Sequence, residues 1–479
     1  MSKNVLLRSL QSLDKREQQR FQKWVDSPYH NADPKLSRLL SLILGDLEGD
    51  TLDRERLDAA LYPAQNFKYA RITNHLSDIK ALLEDFLVWE RLKAQPEQRK
   101  LHLLSLSRER KLEGLYQQTD RYFERLAKRQ PYFSETDFLL YQLVEEERYI
   151  AFTEQDVRAL DQSLQRKTEW GDRYFVGHML KTACQLLNRR NVLQDSQILP
   201  GLKQFLSYIE DDFERFADWP QLNLYRAVLQ MLLHESDAHY EHFRVLLKRS
   251  AKPITIREQI PFEEHKPLYQ YAQNYCIKQA NKGQSQYLGE LFGIYQEMID
   301  QELIYYQGYL SPNDFKNIVV LGVRLQEYDW TEYFLDRFAE RVAPDQRHNA
   351  LAYNRAYFLY ARGERRAALR QLTQVQYQDV FYLLGGRSMQ LKIYYEMHDD
   401  EALEAGLHAF DNSLRRDRLL PDYRKMGYRE FVRLLRKLMK YRALPSTQQK
   451  QTQEKLEQEL LASESGIHRD WLSKQLQSL

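Results

Sequence analysis

The sequence predicts an all-α protein: an α-α superhelix of antiparallel helical hairpins, with an N-terminal helical unit and a C-terminal helical cap. Three observations predict it. The 479 residues include only 17 Gly and 14 Pro, and residues with high helix propensity fill much of the rest. The chain is too long for one compact core, because single cores stop growing at roughly 250–300 residues. Turn-like positions also recur at a nearly regular spacing in the second half of the chain.

Residues 1–95 are predicted to form the N-terminal helical unit. Asp14 is placed to cap the helix that begins in DKREQQRFQKWV, because its side chain can accept the unpaired N–H groups of a first helical turn. After a break at Leu61-Tyr62-Pro63, a long helix is predicted from about Tyr69 to Leu92. Its apolar residues keep the spacing of one helix face, and they are Ile72, Leu76, Ile79, Leu82, Leu83, Phe86 and Leu87.

Residues 96–262 are predicted to form degenerate helical hairpins, since helical runs alternate here with short polar breaks. The predicted runs are Leu101–Arg129, Glu135–Phe152, Val157–Trp170, Arg173–Asn188, Leu199–Phe216, Leu222–His234 and Ala238–Ser250. The segment KPITIREQIPFEEHKP, which starts at Lys252, is the longest irregular stretch and is interpreted as a loop or a local insertion.

Residues 263–412 carry the most regular repeat. Turn-like positions at Asp329 and Gly363 are 34 residues apart, and a step of 35 residues leads from Gly363 to His398. Gly283 marks another turn upstream. Three or four helical hairpins of similar length are therefore predicted in this segment.

Small residues occupy corresponding places on these hairpins. Ala356 and Ala368 flank Gly363, and Cys276 precedes its own turn by seven residues, as Ala356 does. Antiparallel helices joined by a tight turn come close together near that turn, so a bulky side chain there would separate them. Ordering about 34 residues costs roughly 50 kcal/mol, at about 1.5 kcal/mol each, and a lone hairpin buries too little to offset this. Stacked hairpins supply the missing burial, which favours a solenoid.

At these residues the chain resembles the tetratricopeptide repeat family. Ala356, Gly363 and Ala368 fall at the family's spacing of small and turn residues, and the 34-residue period matches its repeat length. The resemblance covers about residues 266–410, and the chain as a whole resembles bacterial helical-repeat proteins. It implies a right-handed superhelix whose concave groove holds peptides or partner helices, and it implies no catalysis.

The leading functional hypothesis is a non-catalytic interaction scaffold that binds a protein or peptide partner through this groove. The resemblance implies that polar and aromatic residues of the first helices face the groove. The candidates are Asn317, Arg324, Asn354, Arg355, Tyr357 and Arg387.

Residues 413–479 are predicted to contain a basic helix and the C-terminal cap. Residues 414–442 carry eleven Lys or Arg against three Asp or Glu, and the candidates for an anionic partner are Arg429, Arg433, Arg436, Lys437 and Lys440. The favoured interpretation is a solvated capping helix whose charge is compensated by acids of neighbouring repeats. The final amphipathic segment is expected to dock back onto the protein through Trp471 and Leu472.

A nucleic-acid-binding or regulatory function is the alternative hypothesis. The basic segment 414–442 is one reason for it. The other is the N-terminal stretch ARITNHLSDIKALL, which has the appearance of a recognition helix. With 70 basic and 68 acidic residues, the chain has a net charge of only +2, so no overall field attracts a polyanion. Nucleic acid is therefore possible as a partner but not favoured.

No set of residues predicts catalysis, a metal site or a cofactor. His234, His239 and His242 are the nearest approach to a metal motif, but the second histidine comes five residues after the first, whereas zinc proteases need a spacing of four. Cys184 and Cys276 each lie in an apolar stripe and are expected to be buried thiols. Without a membrane-spanning stretch or an apolar signal region, the protein is expected in the cytoplasm.

Overall fold

A computed structural model shows the fold of residues 5–47, 51–129, 134–152, 157–193, 201–211, 219–251, 260, 262–376, 380–416, 420–444, 446–462 and 466–478. The described residues form 23 α-helices and no strand, which confirms the all-α fold class. The chain divides into two compact units, which are Met1–Met179 (unit 1) and Leu180–Leu479 (unit 2). The finer division into four segments stays a prediction.

Unit 1 is built from helices α1 to α8 and most of α9. Their bounds are α1 (Val5–Gln11), α2 (Lys15–Asp26), α3 (Pro34–Leu44), α4 (Arg54–Leu61), α5 (Tyr69–Lys93), α6 (Pro96–Glu109), α7 (Glu113–Arg129), α8 (Glu135–Phe152) and α9 (Val157–Leu193). Asp14 caps α2 as predicted, since its side chain accepts the N–H groups of Arg16 and Glu17 while Glu17 accepts that of Asp14. The apolar stripe of α5 packs into one core with α1 to α4, except for Leu87, which is exposed.

Two predicted helix boundaries in unit 1 are wrong. The run Leu101–Arg129 is two helices, because Lys111 adopts a left-handed backbone with φ 57° and ends α6. The pair Val157–Trp170 and Arg173–Asn188 is the single helix α9. Gly171 lies between the two predicted runs and inside α9, where a Cβ atom would come within 3.0 Å of the Gln142 side chain. The glycine therefore permits a close approach and does not end the helix.

Unit 2 continues with consecutive helices. Their bounds are α10 (Leu202–Asp211), α11 (Pro220–His234), α12 (Asp237–Ala251), α13 (Phe262–Asn281), α14 (Gln286–Asp300), α15 (Pro312–Arg324), α16 (Tyr328–Phe338), α17 (Pro344–Ala361), α18 (Arg365–Leu372), α19 (Val380–Glu396), α20 (Asp400–Arg416), α21 (Asp422–Arg442), α22 (Ser446–Ala462) and α23 (Arg469–Gln477). Of the predicted irregular stretch, residues 252–259 and 261 lie outside the described residues. Residues 262–267 belong to α13, so the prediction of a loop is wrong there.

The helices of unit 2 pack in the order of a superhelix. The hairpins are α11 with α12, α13 with α14, α15 with α16, α17 with α18, α19 with α20, and α21 with α22. From α12 onwards, the second helix of each hairpin also packs against the first helix of the next. Each hairpin thus buries on its neighbour the apolar face that it could not bury alone.

The turns of four successive hairpins share one backbone geometry. The residue in the left-handed region, with φ between 57° and 92°, is Gly283, Gln326, Gly363 or His398. In each turn the N–H of the next residue donates to the carbonyl oxygen five residues before it, at 2.9–3.1 Å. This bond closes the first helix with a Schellman motif.

The predicted turn at Asp329 is wrong, because that turn lies at Gln326 and Asp329 belongs to α16. The four turns are therefore 43, 37 and 35 residues apart, and the period is not a constant 34. Aspartate is a common turn residue, whereas glutamine seldom takes a left-handed backbone. The residue types therefore placed the predicted turn three positions too far along the chain.

The small residues lie at the hairpin contacts, as predicted. Ala356 and Ala368 are both fully buried and belong to one core cluster. In the preceding hairpin the close contact is between Gly322 and Thr331, and a Cβ atom on Gly322 would overlap the Thr331 hydroxyl oxygen. Cys276 is fully buried too. Each of these hairpins thus has a small residue at its helix contact, although the number of residues between successive turns varies.

No helix in the described part of the chain is long and apolar enough to cross a membrane.

Candidate partner-binding surface

The first helices of successive hairpins in unit 2 form a continuous surface. α15 packs on α17, and α17 packs on α19. Arg442 of α21 donates to the carbonyl oxygen of Tyr395 in α19 at 2.8 Å. We call the side formed by α15, α17, α19 and α21 the first-helix surface.

Three of the predicted groove residues form the solvent-facing part of this surface. Asn317 and Arg324 are exposed on α15. Tyr357 is half-buried on α17, and burial raises its pKa while the nearby Arg324 charge works against that rise. The exposed Arg324 guanidinium and the half-buried Tyr357 phenol therefore lie close together on adjacent first helices.

Two further predicted residues are engaged in contacts within the chain. Arg355 of α17 forms an ion pair with Asp336 of α16, which links it to the second helix of the preceding hairpin. The Arg387 guanidinium donates to the Gln390 side-chain oxygen at 3.0 Å. A partner would have to compete with these contacts or add to them.

The assignment of Asn354 to a binding surface is wrong, because the residue is fully buried. Its amide nitrogen donates to the carbonyl oxygen of Ala350 at 2.8 Å, and its amide oxygen has no hydrogen-bond partner among the described residues. The prediction treated the polar side of α17 as solvent-facing. In the structure α17 packs against α15, α16, α18 and α19, so more than one of its faces is covered.

The C-terminal helix α23 docks on the first-helix surface. The Trp471 indole N–H donates to Glu396 at 2.8 Å, and the indole packs edge-on against Tyr395 with ring centroids 5.6 Å apart. The Lys392 ammonium lies 5.5 Å from the same indole. Besides packing on α21 and on the second helix α22, α23 covers residues of α17, α19 and α21 that we call the tail-docking site: Tyr360, Lys392, Tyr395, Glu396, Tyr428 and Phe431. The predicted docking through Trp471 and Leu472 is confirmed.

Glu396 is the central acceptor of the tail-docking site. Besides Trp471, it accepts the Tyr360 hydroxyl at 2.7 Å and the Arg365 guanidinium at 2.7 Å. Burial acts to raise its pKa, but the bonds from Tyr360, Trp471 and Arg365 outweigh burial and leave the pKa below its ordinary value. Glu396 is therefore a carboxylate at neutral pH, held in one orientation by two donors that belong to the hairpins and not to α23.

Lys392 and His468 form the polar contact at the start of α23. The Lys392 ammonium lies 2.9 Å from His468 Nδ1, and the His468 ring packs against Phe431 with centroids 4.8 Å apart. Burial lowers the pKa of Lys392 to about 8. Burial, and then the Lys392 charge, lower the pKa of His468 to about 3. At pH 7 a charged lysine thus donates to a neutral imidazole, which places the ring proton on Nε2. This buried atom has no hydrogen-bond partner in the part of the chain that the structure describes.

The basic helix α21 is largely neutralised by neighbouring helices. Glu459 of α22 accepts Arg433 at 2.8 Å and Lys437 at 2.6 Å, and these bonds lower its pKa, the Lys437 bond most strongly. Arg429 pairs with Asp411 at 3.2 Å, and Arg436 lies 3.6 Å from Glu404. Lys440 is the one predicted anionic-partner residue without an ion pair within the described part of the chain. The contacts therefore match the interpretation of a compensated cap.

The N-terminal stretch that suggested a recognition helix is part of α5. Its Arg71 forms a two-point ion pair with the buried Asp58, at 2.9 and 2.6 Å, and His75 bonds the Tyr62 hydroxyl at 2.7 Å. Both polar side chains thus face the core of unit 1. The exposed charged residues of this stretch are Asp78 and Lys80. One acid and one base do not make a basic surface for phosphate.

The histidine cluster does not form a recognisable metal site. The His234 and His239 rings stack with centroids 4.9 Å apart, and His239 Nδ1 bonds the Ser236 hydroxyl at 2.6 Å. Among the residues that the structure describes, no three His, Cys, Asp or Glu side chains could hold a metal ion together. Cys184 is a buried thiol, as expected, and burial raises its pKa.

Sequence reasoning did not identify Lys392, Glu396 or His468. The first two stand in LKIYYE, where a lysine and a glutamate interrupt an apolar run, and that interruption is the signal that could have revealed them. His468 offers no such signal, because its role depends on a left-handed backbone with φ 58°.

Compared with protein-family models, with curated proteins and with solved structures, the chain shows no significant match.

Proposed function

We propose that this chain is a non-catalytic interaction scaffold, which binds a segment of a protein partner on the first-helix surface of unit 2. The observation that carries the proposal is the docking of α23, because a helical segment already binds there through an indole N–H, ring packing and buried leucines. The hairpin order and the shared turn geometry support the likeness to the tetratricopeptide repeat family, in which such surfaces hold peptides.

The solvent-facing part of the surface suggests which groups the partner offers. Arg324 and Asn317 lie on α15, away from the residues that contact α23, and Tyr357 adds an aromatic edge. A carboxylate on the partner would pair with Arg324, and such a rim charge acts mainly on the association rate and on specificity.

Nucleic-acid binding is the weaker candidate. Four of the five predicted phosphate-binding side chains of α21 already face carboxylates. A phosphate would have to displace these acids, and the electrostatic gain from releasing counterions would then be small.

Affinity purification from the native host tests the proposal. Wild-type protein and an Arg324→Glu variant are compared by quantitative mass spectrometry, with Arg370→Glu as the matched control, since Arg370 is an exposed arginine on the second helix α18. A groove partner should be retained by the wild type and the control and depleted at least fivefold by Arg324→Glu. Recovery of the same proteins by all three would contradict the proposed surface.

A further inference from the structure

We propose that the tail-docking site also binds a partner's amphipathic helix that carries a tryptophan followed by apolar residues one and five positions later, in competition with α23. This inference rests on the proposed function and names the class of segment that the surface accepts. In α23 the pattern is Trp471, Leu472 and Leu476.

Residues of the tail-docking site are held by contacts that do not involve α23. Tyr360 and Arg365 hold Glu396 through two hydrogen bonds of 2.7 Å that do not involve α23. Arg442 packs on Tyr395 with its guanidinium 4.4 Å from the ring centroid and pairs with Asp400. The Glu396 carboxylate and the Tyr395 ring are therefore positioned by residues outside α23, so that another segment could bind them.

The chemistry of the site selects tryptophan among aromatic residues. The carboxylate of Glu396 requires an N–H or O–H donor at the edge of the ring, which phenylalanine lacks. The Lys392 ammonium lies 5.5 Å from the indole, and cations bind the face of indole better than that of other aromatic rings. Below the tryptophan, Leu434, Leu438, Leu456 and Leu460 surround Leu472 and Leu476, so the same helix must carry apolar side chains at these two positions.

α23 is bound weakly enough to be displaced. It has only nine residues, of which Leu472 and Leu476 are buried, and a helix of this length is not stable by itself in water. Its start requires left-handed backbone at both Gly466 and His468, a strained conformation for histidine. Within the described ranges the buried His468 Nε2 atom also lacks a hydrogen-bond partner, which is unfavourable. A longer partner helix need not include these features.

Tethering explains how such a site stays closed to weak ligands. A docked segment on the same chain competes with an effective concentration on the order of millimolar. Only a partner with several additional contacts, such as one that also reaches Arg324, would displace it.

The test uses a fluorescein-labelled peptide of residues 466–478 and full-length protein. Fluorescence anisotropy compares wild type with a Trp471→Ala/Leu472→Ala variant, whose own tail is weakened, and with Lys474→Ala, an exposed position on α23, as the control. The variant should bind the peptide at least tenfold more tightly than the wild type and the control. A peptide with alanine in place of its tryptophan should bind none of them.

Several outcomes would overturn the inference. They are equal affinity of all three proteins for the peptide, no binding to a variant with a wild-type circular dichroism spectrum, or dimerisation of the variant through exchanged tails, which would make a second copy the occupant. If the variant does not fold, wild-type protein is tested by hydrogen exchange. Excess peptide should then speed exchange in α23 and leave α20 unchanged, and no acceleration would overturn the inference. A loss of partner capture by Arg324→Glu without peptide binding would refute this inference alone and leave the scaffold proposal standing.

Discussion

Lowering the pH from 7 to 5 should release α23 from the tail-docking site. In the docked state His468 packs on Phe431 and faces the Lys392 ammonium, and its pKa is about 3 because of burial first and the lysine charge second. A solvated histidine titrates near 6.5. Between these two values the released state binds a proton that the docked state does not. Docking is therefore favoured above pH 6.5 and weakens as the pH falls below it.

The size of the effect follows from the two pKa values. Integration from pH 7 to pH 5 gives about 2 kcal/mol, or roughly 25-fold in the docking equilibrium. The result is insensitive to the docked pKa as long as that value stays below about 4. Lys392, with a pKa of about 8, stays charged throughout this range. Glu396 has a pKa below its ordinary 4.5 in the docked state, so its contribution is lost only at still lower pH.

Hydrogen exchange of α23 measures the prediction. After correction for the intrinsic rate, the protection of its backbone amides should fall about 25-fold between pH 7 and pH 5, while that of α20 should not change. A His468→Asn variant is the control, because asparagine tolerates a left-handed backbone and does not titrate. Unchanged protection of wild-type α23, or the same loss in the asparagine variant, would refute the reasoning.

Three further predictions concern packing and charge. Ala356→Leu should lower the free energy of unfolding of unit 2 by about 1–3 kcal/mol in chemical denaturation, because the site is fully buried. The control is Ala361→Leu, at the exposed end of the same helix, which should change stability by less than about 0.5 kcal/mol. Equal effects of the two substitutions would contradict the hairpin contact. Gly322→Ala should also destabilise the fold. In a Thr331→Ala background much of this loss of stability should be relieved, because the overlapping hydroxyl is removed. Strictly additive losses of stability in the double-mutant cycle would contradict the contact between the two residues. Arg433→Glu should leave duplex DNA affinity and its salt dependence unchanged, because Glu459 already pairs with Arg433. A salt slope shallower by about 0.9 would show that the arginine contacts phosphate.

The sequence predicted the elements whose signal is local. The glycine turns, the Asp14 cap and the small residues at 356 and 368 were predicted correctly, because each depends on a few neighbouring residues. The constant period was wrong because Gln326 occupies a left-handed position that residue type rarely indicates. Backbone geometry of this kind is determined by the packing of whole hairpins.

The candidate site was predicted only in part. Docking of α23 was inferred from Trp471, since a tryptophan in a short amphipathic segment requires an apolar partner surface. The acceptor Glu396 and the Lys392–His468 contact were missed, because they join positions 75 and 76 residues apart. Asn354 was misplaced for a related reason, since its burial depends on how many neighbours α17 has.

Photo-crosslinking in the native host tests the central claim, that the first-helix surface is where a protein partner binds. A benzoylphenylalanine residue is placed at position 317 on α15, which leaves Arg324 intact, or, as the comparison, at position 370 on α18. The account predicts a defined crosslinked protein from position 317 that is missing from position 370. Crosslinking from position 370 alone, or identical products from both positions, would contradict it.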